Sequence, residues 1–201
     1  PRSKWRAEAR ARALAEELGL ETAILLPSAP IGAEDHRLTP PSKMLLDLAN
    51  GALPATLDCR LNLVAAEAVA EGIAAAVGGP AVGWGRPWRR FLLTGEDLEM
   101  DDYLALVGRV SGVAPPRAKA PYLVALAAAQ VEARISALTG RAPSAPLTGV
   151  RLAGPKLRFD AGRAGAELGF APPPLETALR AALGWMREAG LTRRPLPGLG
   201  A

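Results

Sequence analysis

The first residues of the chain constrain its fold most. Trp5, Ala11, Leu14, Ala15 and Leu18 recur at helical spacing and predict one apolar face on a helix from about Ser3 to Leu18. Arg2, Arg6 and Arg10 fall on another face and read as solvated. Gly19 stops the helix. Thr22 to Leu26 follow as a short β-type run, closed by Pro27. Helix, glycine turn and buried strand together make one αβ step of a parallel sheet.

Alternation continues at first and then gives way to helices. The stretch from Pro27 to Pro41 is rich in Pro and Gly and reads as a long loop, of the kind that carries function. Helices are predicted over Ser42 to Asn50, Glu67 to Val77, Asp101 to Val110, Pro121 to Leu138, Ala161 to Leu168 and Leu175 to Ala189. Strands are predicted at Leu61 to Val64, Arg90 to Leu93 and Leu157 to Phe159. Pro143 to Pro155 has no clear period, and the tail from Thr192 to Ala201 is expected to fray. In the helix from Leu175, the residues Leu175, Ala178, Leu179, Ala182, Leu183 and Met186 form one apolar face. The pattern predicts an α/β chain followed by a smaller mixed lobe.

Composition narrows the function. With 49% hydrophobic and 22% charged residues the chain has material for a core and is not disordered in character. A net charge of +4, with both signs interspersed, is too small an excess for a nucleic-acid protein. One cysteine, Cys59, allows no internal disulfide and suits a buried thiol in a reducing cytoplasm. One histidine and one cysteine cannot make a metal cluster of the usual kind. The longest apolar run, Leu123 to Ala129, is too short to span a bilayer. The chain opens on Pro1, inside what already reads as helix, which suggests that it starts part-way through a larger fold.

Two segments point to chemistry. The first is Ser3-Lys4-Trp5-Arg6-Ala7-Glu8, which resembles the Y-x-x-S-K-x-x-A-E segment of extended short-chain dehydrogenases/reductases, the NAD(P)-dependent epimerase/dehydratase family. The resemblance makes Lys4 the lysine of a Tyr–Lys pair whose tyrosine falls immediately before Pro1. A free phenol has a pKa of about 10, too high for a base at neutral pH. An ammonium one helical turn away lowers it. In the family this lysine also binds the nicotinamide ribose. The second segment, Leu26-Pro27-Ser28-Ala29-Pro30-Ile31-Gly32, resembles the family's strand-end motif, which implies Pro27, Ser28 and Ile31 at the nicotinamide. In open parallel sheets ligands bind beyond the carboxyl ends of strands, so the place is right.

Weaker likenesses extend along the chain. Val64-Ala65-Ala66-Glu67-Ala68-Val69-Ala70 resembles the family's V-H-V-D-D-V-A motif, with Ala65 and Ala68 replacing its His and second Asp. Arg90-Phe91-Leu92-Leu93-Thr94-Gly95-Glu96 resembles its Y-x-L-x-G-E strand, and Glu167 to Pro172 its E-L-G-Y-x-P turn. Asn62-Leu63-Val64 and the loop from Pro27 to Ser42 are most similar to the hopanoid-associated sugar epimerases and dihydroflavonol reductase-like proteins.

The resemblance implies the C-terminal remnant of a Rossmann-type parallel sheet with a smaller, mostly helical substrate-binding lobe. Residues 1–80 would carry the dinucleotide-fold part with the substrate loop 27–41, residues 81–191 the lobe, and 192–201 a tail. It implies NAD or NADP in the complete enzyme, a sugar-nucleotide or carbonyl substrate near Thr39, Ser42 and Asn62, and a homodimer contact through the first helix. No G-x-x-G-x-x-G loop occurs in the chain, so no cofactor binding is expected of it alone. The rival expectation is a non-catalytic interaction module derived from such an enzyme, favoured by the altered Val64–Ala70 motif. His36 reads as a solvated loop residue, Asp101 and Asp102 as a helix N-terminus, and Trp84, Arg86 and Trp88 as loop packing.

Overall fold

The computed structural model describes residues 2–78, 87–140, 147–154 and 156–200. The chain opens with α1 (Arg2–Leu18), β1 (Thr22–Pro27) and β2 (Ala29–Ile31). Next come α2 (Pro40–Ala49), β3 (Thr56–Leu57), β4 (Arg60–Ala65) and α3 (Ala66–Gly78). Then follow β5 (Trp88–Leu93), β6 (Glu96–Glu99), α4 (Met100–Ser111), β7 (Lys119–Ala120) and α5 (Tyr122–Thr139). The chain closes with α6 (Leu147–Ala153), α7 (Gly162–Leu168), α8 (Leu175–Glu188) and a 3-10 turn at Pro197–Leu199.

The αβ step at the start is present as predicted. Gly19 takes the left-handed conformation (φ 62°) that ends α1 without a Cβ clash. β1 then pairs in parallel with β5, Thr22 opposite Trp88 through Pro27 opposite Leu93. Between Pro27 and Ala29 the chain leaves this sheet and enters a second one. There β2 pairs in parallel with β4, and β6 adds to β4 in antiparallel sense. β3 and β7 form a separate short parallel pair.

One buried cluster runs from Ile31 and Leu45 through Val64 and Phe91 to α4 and α8, continuous across residue 80. The six-residue face foreseen on α8 is buried in full. It packs against α4, α2 and β4. α4 carries Asp101 and Asp102 in its first turn and Arg109 in its last, in accord with the helix dipole.

Five sequence expectations change. The stretch Pro27–Pro41, read as a long loop, contains β2 and the first two residues of α2. Of the apolar face on α1 only Ala15 is buried, while Trp5 and Leu18 are 71% and 59% exposed. Leu157 to Phe159 pair with no strand among the described residues, because an extended run needs a neighbouring edge. Leu147–Ala153, inside the stretch without a period, is helical. The tail is docked: Leu196 is 4% exposed and the 3-10 turn lies on α4. Trp84 and Arg86 lie outside the described residues, whereas Trp88 is the first residue of β5.

Candidate functional site

Contacts between α1 and β5 set the position of Lys4. Trp88 Nε1 donates to Glu16 Oε1 at 2.9 Å. The Arg12 guanidinium stacks 4.5 Å from the Trp88 ring centre, and Arg90 Nε lies 3.2 Å from Glu8 Oε1. Partners on the helix descend from 16 to 8 as those on the strand rise from 88 to 90. α1 therefore runs antiparallel to β5, and its N-terminal turn points to the carboxyl edge of the sheet. Pro27 ends β1 on that edge, opposite Leu93. Lys4, exposed on the first turns of α1, and Pro27 belong to the same edge although twenty-two positions separate them. Glu8, part of the Ser3–Glu8 segment, pins the helix to the sheet through Arg12 and Arg90.

Ser28 sits where the chain changes sheets. Its N–H donates to the Leu93 carbonyl at 3.1 Å, extending the β1–β5 ladder by one bond. Its hydroxyl is buried and has no hydrogen-bond partner among the described residues, an arrangement that costs desolvation free energy. Ile31 is 1% exposed, so its side chain serves the core and only its backbone can meet a ligand. Gly32 lies against the start of α3: a Cβ there would meet Ala66 Cβ at 3.0 Å and Glu67 Oε1 at 3.3 Å.

The loop beyond Gly32 is ordered by one carboxylate. Asp35 accepts from the Thr39 amide at 2.8 Å and from the Thr39 hydroxyl at 2.5 Å. Partial burial pushes the Asp35 pKa up, but the bonds from Thr39 and the neighbouring Ser42 hydroxyl outweigh it, and the net direction is down. Ser42 is 1% exposed and lies against the same carboxylate without a complete hydrogen bond. Glu34 and Leu38 hold positive φ angles of 62° and 47°, unusual for residues with a Cβ. His36 is exposed, as expected of a solvated loop residue, and its ring meets Trp185 of α8 edge-on, with centroids 5.2 Å apart.

Asn62 behaves differently from the substrate contact expected of it. Its amide donates to the Gly95 carbonyl at 3.1 Å and to Asp97 Oδ1 at 2.7 Å, and its oxygen accepts from the Gly95 N–H at 3.1 Å. Both amide protons are engaged inside the protein. Gly95 and Glu96 of the strand motif are structural as well. Gly95 lets β6 approach the Leu63 backbone, and Glu96 Oε1 accepts the Leu175 N–H at 2.9 Å at the start of α8. Ala65 and Ala68, which replace polar residues of the motif, are 3% and 2% exposed. Their small apolar side chains remove groups that would need buried partners.

The structure therefore brings Lys4, Pro27 and Ser28 to one sheet edge, groups Thr39 and Ser42 around Asp35, and places Asn62 inside the sheet. Sequence reasoning missed Asp35; its signal was an acidic residue four positions before a Thr-Pro-Pro helix start. A cavity between α3 and the Gly169–Ala171 turn, lined by Ala68, Glu71, Gly72 and Phe170 among others, includes none of the predicted site residues.

Known proteins resemble the chain over nearly its whole length. A "Putative dihydroflavonol 4-reductase" from Synechocystis is 31% identical over 193 residues, covering 95% of this chain and 55% of that protein. A nucleoside-diphosphate-sugar epimerase from Pseudomonas aeruginosa superimposes with a TM-score of 0.68 at 26% identity, over 94% of this chain and 55% of its own. The chain is similar to the C-terminal part of NAD-dependent epimerase/dehydratase and dihydroflavonol reductase-like proteins. It spans about half the length of the relatives it matches, their C-terminal part. A UDP-glucose-4-epimerase from Stenotrophomonas maltophila, solved with NAD and formylated UDP-arabinopyranose, shares the fold at 18% identity and a TM-score of 0.65, covering 94% of this chain and 55% of its own. No protein-family model matches the chain. In this frame the parallel β1–β5 and β2–β4 pairs are part of a Rossmann-like sheet.

Proposed function

We propose that this chain is the substrate-binding portion of an NAD(P)-dependent nucleotide-sugar epimerase or reductase. The observation that carries the proposal is the antiparallel seating of α1 on β5, which takes Lys4 to the sheet edge of Pro27 and Ser28. NAD or NADP, when bound, supplies the hydride acceptor and donor. The residues present suit that group at one edge: a cationic side chain, a buried hydroxyl without a partner among the described residues, and a close-packed glycine turn at Gly32. Lys4 holds the nicotinamide ribose and lowers the pKa of the tyrosine that moves the proton. The backbone of Pro27, Ser28 and Ile31 seats the nicotinamide. Thr39 and Ser42, ordered by Asp35, line the substrate side, and Asn62 fixes the strand end beneath them.

Finer points belong to the same proposal. Pyrophosphate affinity needs a glycine turn at a helix N-terminus, and residues 1–201 contain no G-x-x-G-x-x-G, so the chain alone neither binds NAD(P) tightly nor turns over. Asn62-Leu63-Val64 and the Pro27–Ser42 loop support a substrate of the hopanoid-associated sugar epimerase kind. The exposed Trp5 and Leu18 support a homodimer contact through α1, and the single buried Cys59 suits a cytoplasmic protein. A second reading, a non-catalytic module, is favoured by Ala65 and Ala68 in the altered motif. No helix among the described residues is long and apolar enough to cross a membrane.

The test is kcat/KM against pH for Lys4→Met in an enzyme that joins this chain to a dinucleotide-binding half ending in tyrosine. Lys4 is exposed, so the fold should persist. Activity at neutral pH should fall by roughly a hundred-fold or more, with the gap closing as pH approaches the free phenol value of about 10. Coincident profiles would reject the role of Lys4 and favour the non-catalytic reading.

A further inference from the structure

One face of α5 has no partner among the described residues. Val124, Ala128, Val131, Ile135 and Leu138 follow one another at spacings of four, three, four and three, which aligns them along one side of the helix. All five are exposed: Val124 by 61%, Val131 by 54%, Ile135 by 52% and Leu138 by 88%. The opposite side, with Ala129 2% exposed, packs inward, and α6 lies against the helix with Val150 buried. An apolar stripe of this length facing water disfavours the free state unless something covers it.

Charge identifies the cover. Residues 117–151 hold five cations (Arg117, Lys119, Arg134, Arg141 and Arg151) against one anion, Glu132. The chain has 24 cations and 20 anions, so nineteen of each remain elsewhere and the entire +4 resides in this stretch. Arg117, Arg134 and Arg151 are exposed and make no ion pair among the described residues. A second copy would bring the same positive charge to the same face. An anionic bilayer neutralises it and accepts the apolar stripe at once.

We propose that α5 lies in the plane of an anionic lipid surface, with Val131 and Ile135 at the acyl boundary and Arg134 and Arg151 at the headgroups. The helix rests on the membrane and does not cross it. The proposal is independent of the catalytic reading and rests on the α5 surface alone.

The experiment is cosedimentation of the protein with vesicles of phosphatidylcholine, with and without phosphatidylglycerol. Binding should require phosphatidylglycerol and should weaken when salt rises from about 0.1 M to about 1 M, which cuts the Debye length roughly three-fold. Ile135→Asp should lower the partition coefficient roughly ten-fold or more while the thermal melt stays that of the parent. Should that variant fail to fold, Val131→Trp serves instead. Its added emission should shift to the blue on anionic vesicles and be quenched by lipids brominated along the acyl chain. Absence of binding to anionic vesicles, equal binding by Ile135→Asp, or an unshifted, unquenched Val131→Trp emission would overturn the proposal. So would self-association through α5, or capture by an acidic protein, in the absence of vesicle binding.

Discussion

The Asn62 side chain and the Gly95 backbone exchange two hydrogen bonds, each 3.1 Å long, across the end of the β4–β6 pair. Asn62 is 7% exposed, and its second amide proton reaches Asp97 at 2.7 Å. The side chain acts as a clasp that continues the ladder beyond the register Asn62 opposite Asp97 and Leu63 opposite Glu96. Asn62→Leu should therefore leave the Gly95 amide and carbonyl unpaired and cost about 2–4 kcal/mol, read as a shift of the urea midpoint at unchanged slope. Gly95→Ala should cost at least as much, because a Cβ there would lie 2.9 Å from the Leu63 carbonyl carbon and 3.0 Å from Val64 Cα. A neutral Asn62→Leu melt would return Asn62 to the role of a ligand contact.

Asp35 makes the loop between Gly32 and Thr39 sensitive to acid. Its folded pKa lies below the ordinary 3.8, because the Thr39 bonds and the nearby Ser42 hydroxyl outweigh burial. A depressed carboxylate stabilises the fold above its unfolded pKa, and that contribution is lost as pH falls through the lower folded value. Asp35→Ala should cost about 1 kcal/mol at neutral pH, as for loss of a helix cap. The gap between parent and variant should close below pH 3.8. Parallel thermal melts across that range measure it, and a gap that persists in strong acid would show that Asp35 acts through packing.

The docked tail supplies another test. A Cβ on Gly198 would lie 2.7 Å from the Gly112 nitrogen and 2.9 Å from the Arg109 carbonyl, both at the end of α4. Gly198→Ala should destabilise by about 1–3 kcal/mol. Deletion of residues 192–201 should lower the melting temperature by exposing the surface that Leu196 covers. The deletion also removes the Arg193 amide bond of 2.6 Å to Asn50 Oδ1. A truncated chain that melts like the parent would mean that the tail frays in solution.

The periodic elements and the family resemblance were legible in the sequence. α8 shows why. Its six apolar residues lie on one face of a regular helix, so local spacing already says which side is buried. Gly19 ends α1 for an equally local reason. The Leu26–Gly32 segment was legible because backbone geometry at a strand end restricts residue type over a few positions. Other features depend on partners remote in sequence. Asn62 reads as a free polar side chain until β6 is laid beside β4. The tail reads as loose until α4 offers a surface for Leu196 and Gly198.

The sequence by itself determined the helices with one apolar face, the αβ step at the start and the two segments that resemble the family. It contains the charge excess of residues 117–151 too, but not its meaning. Only the tertiary structure decided that Lys4 and Pro27 share an edge, that Asn62 is spent inside the sheet, and that α5 turns an apolar face outward. Local spacing governs dihedral preference and the periodicity of a face, whereas burial and hydrogen-bond pairing depend on which remote segment fills the adjacent space.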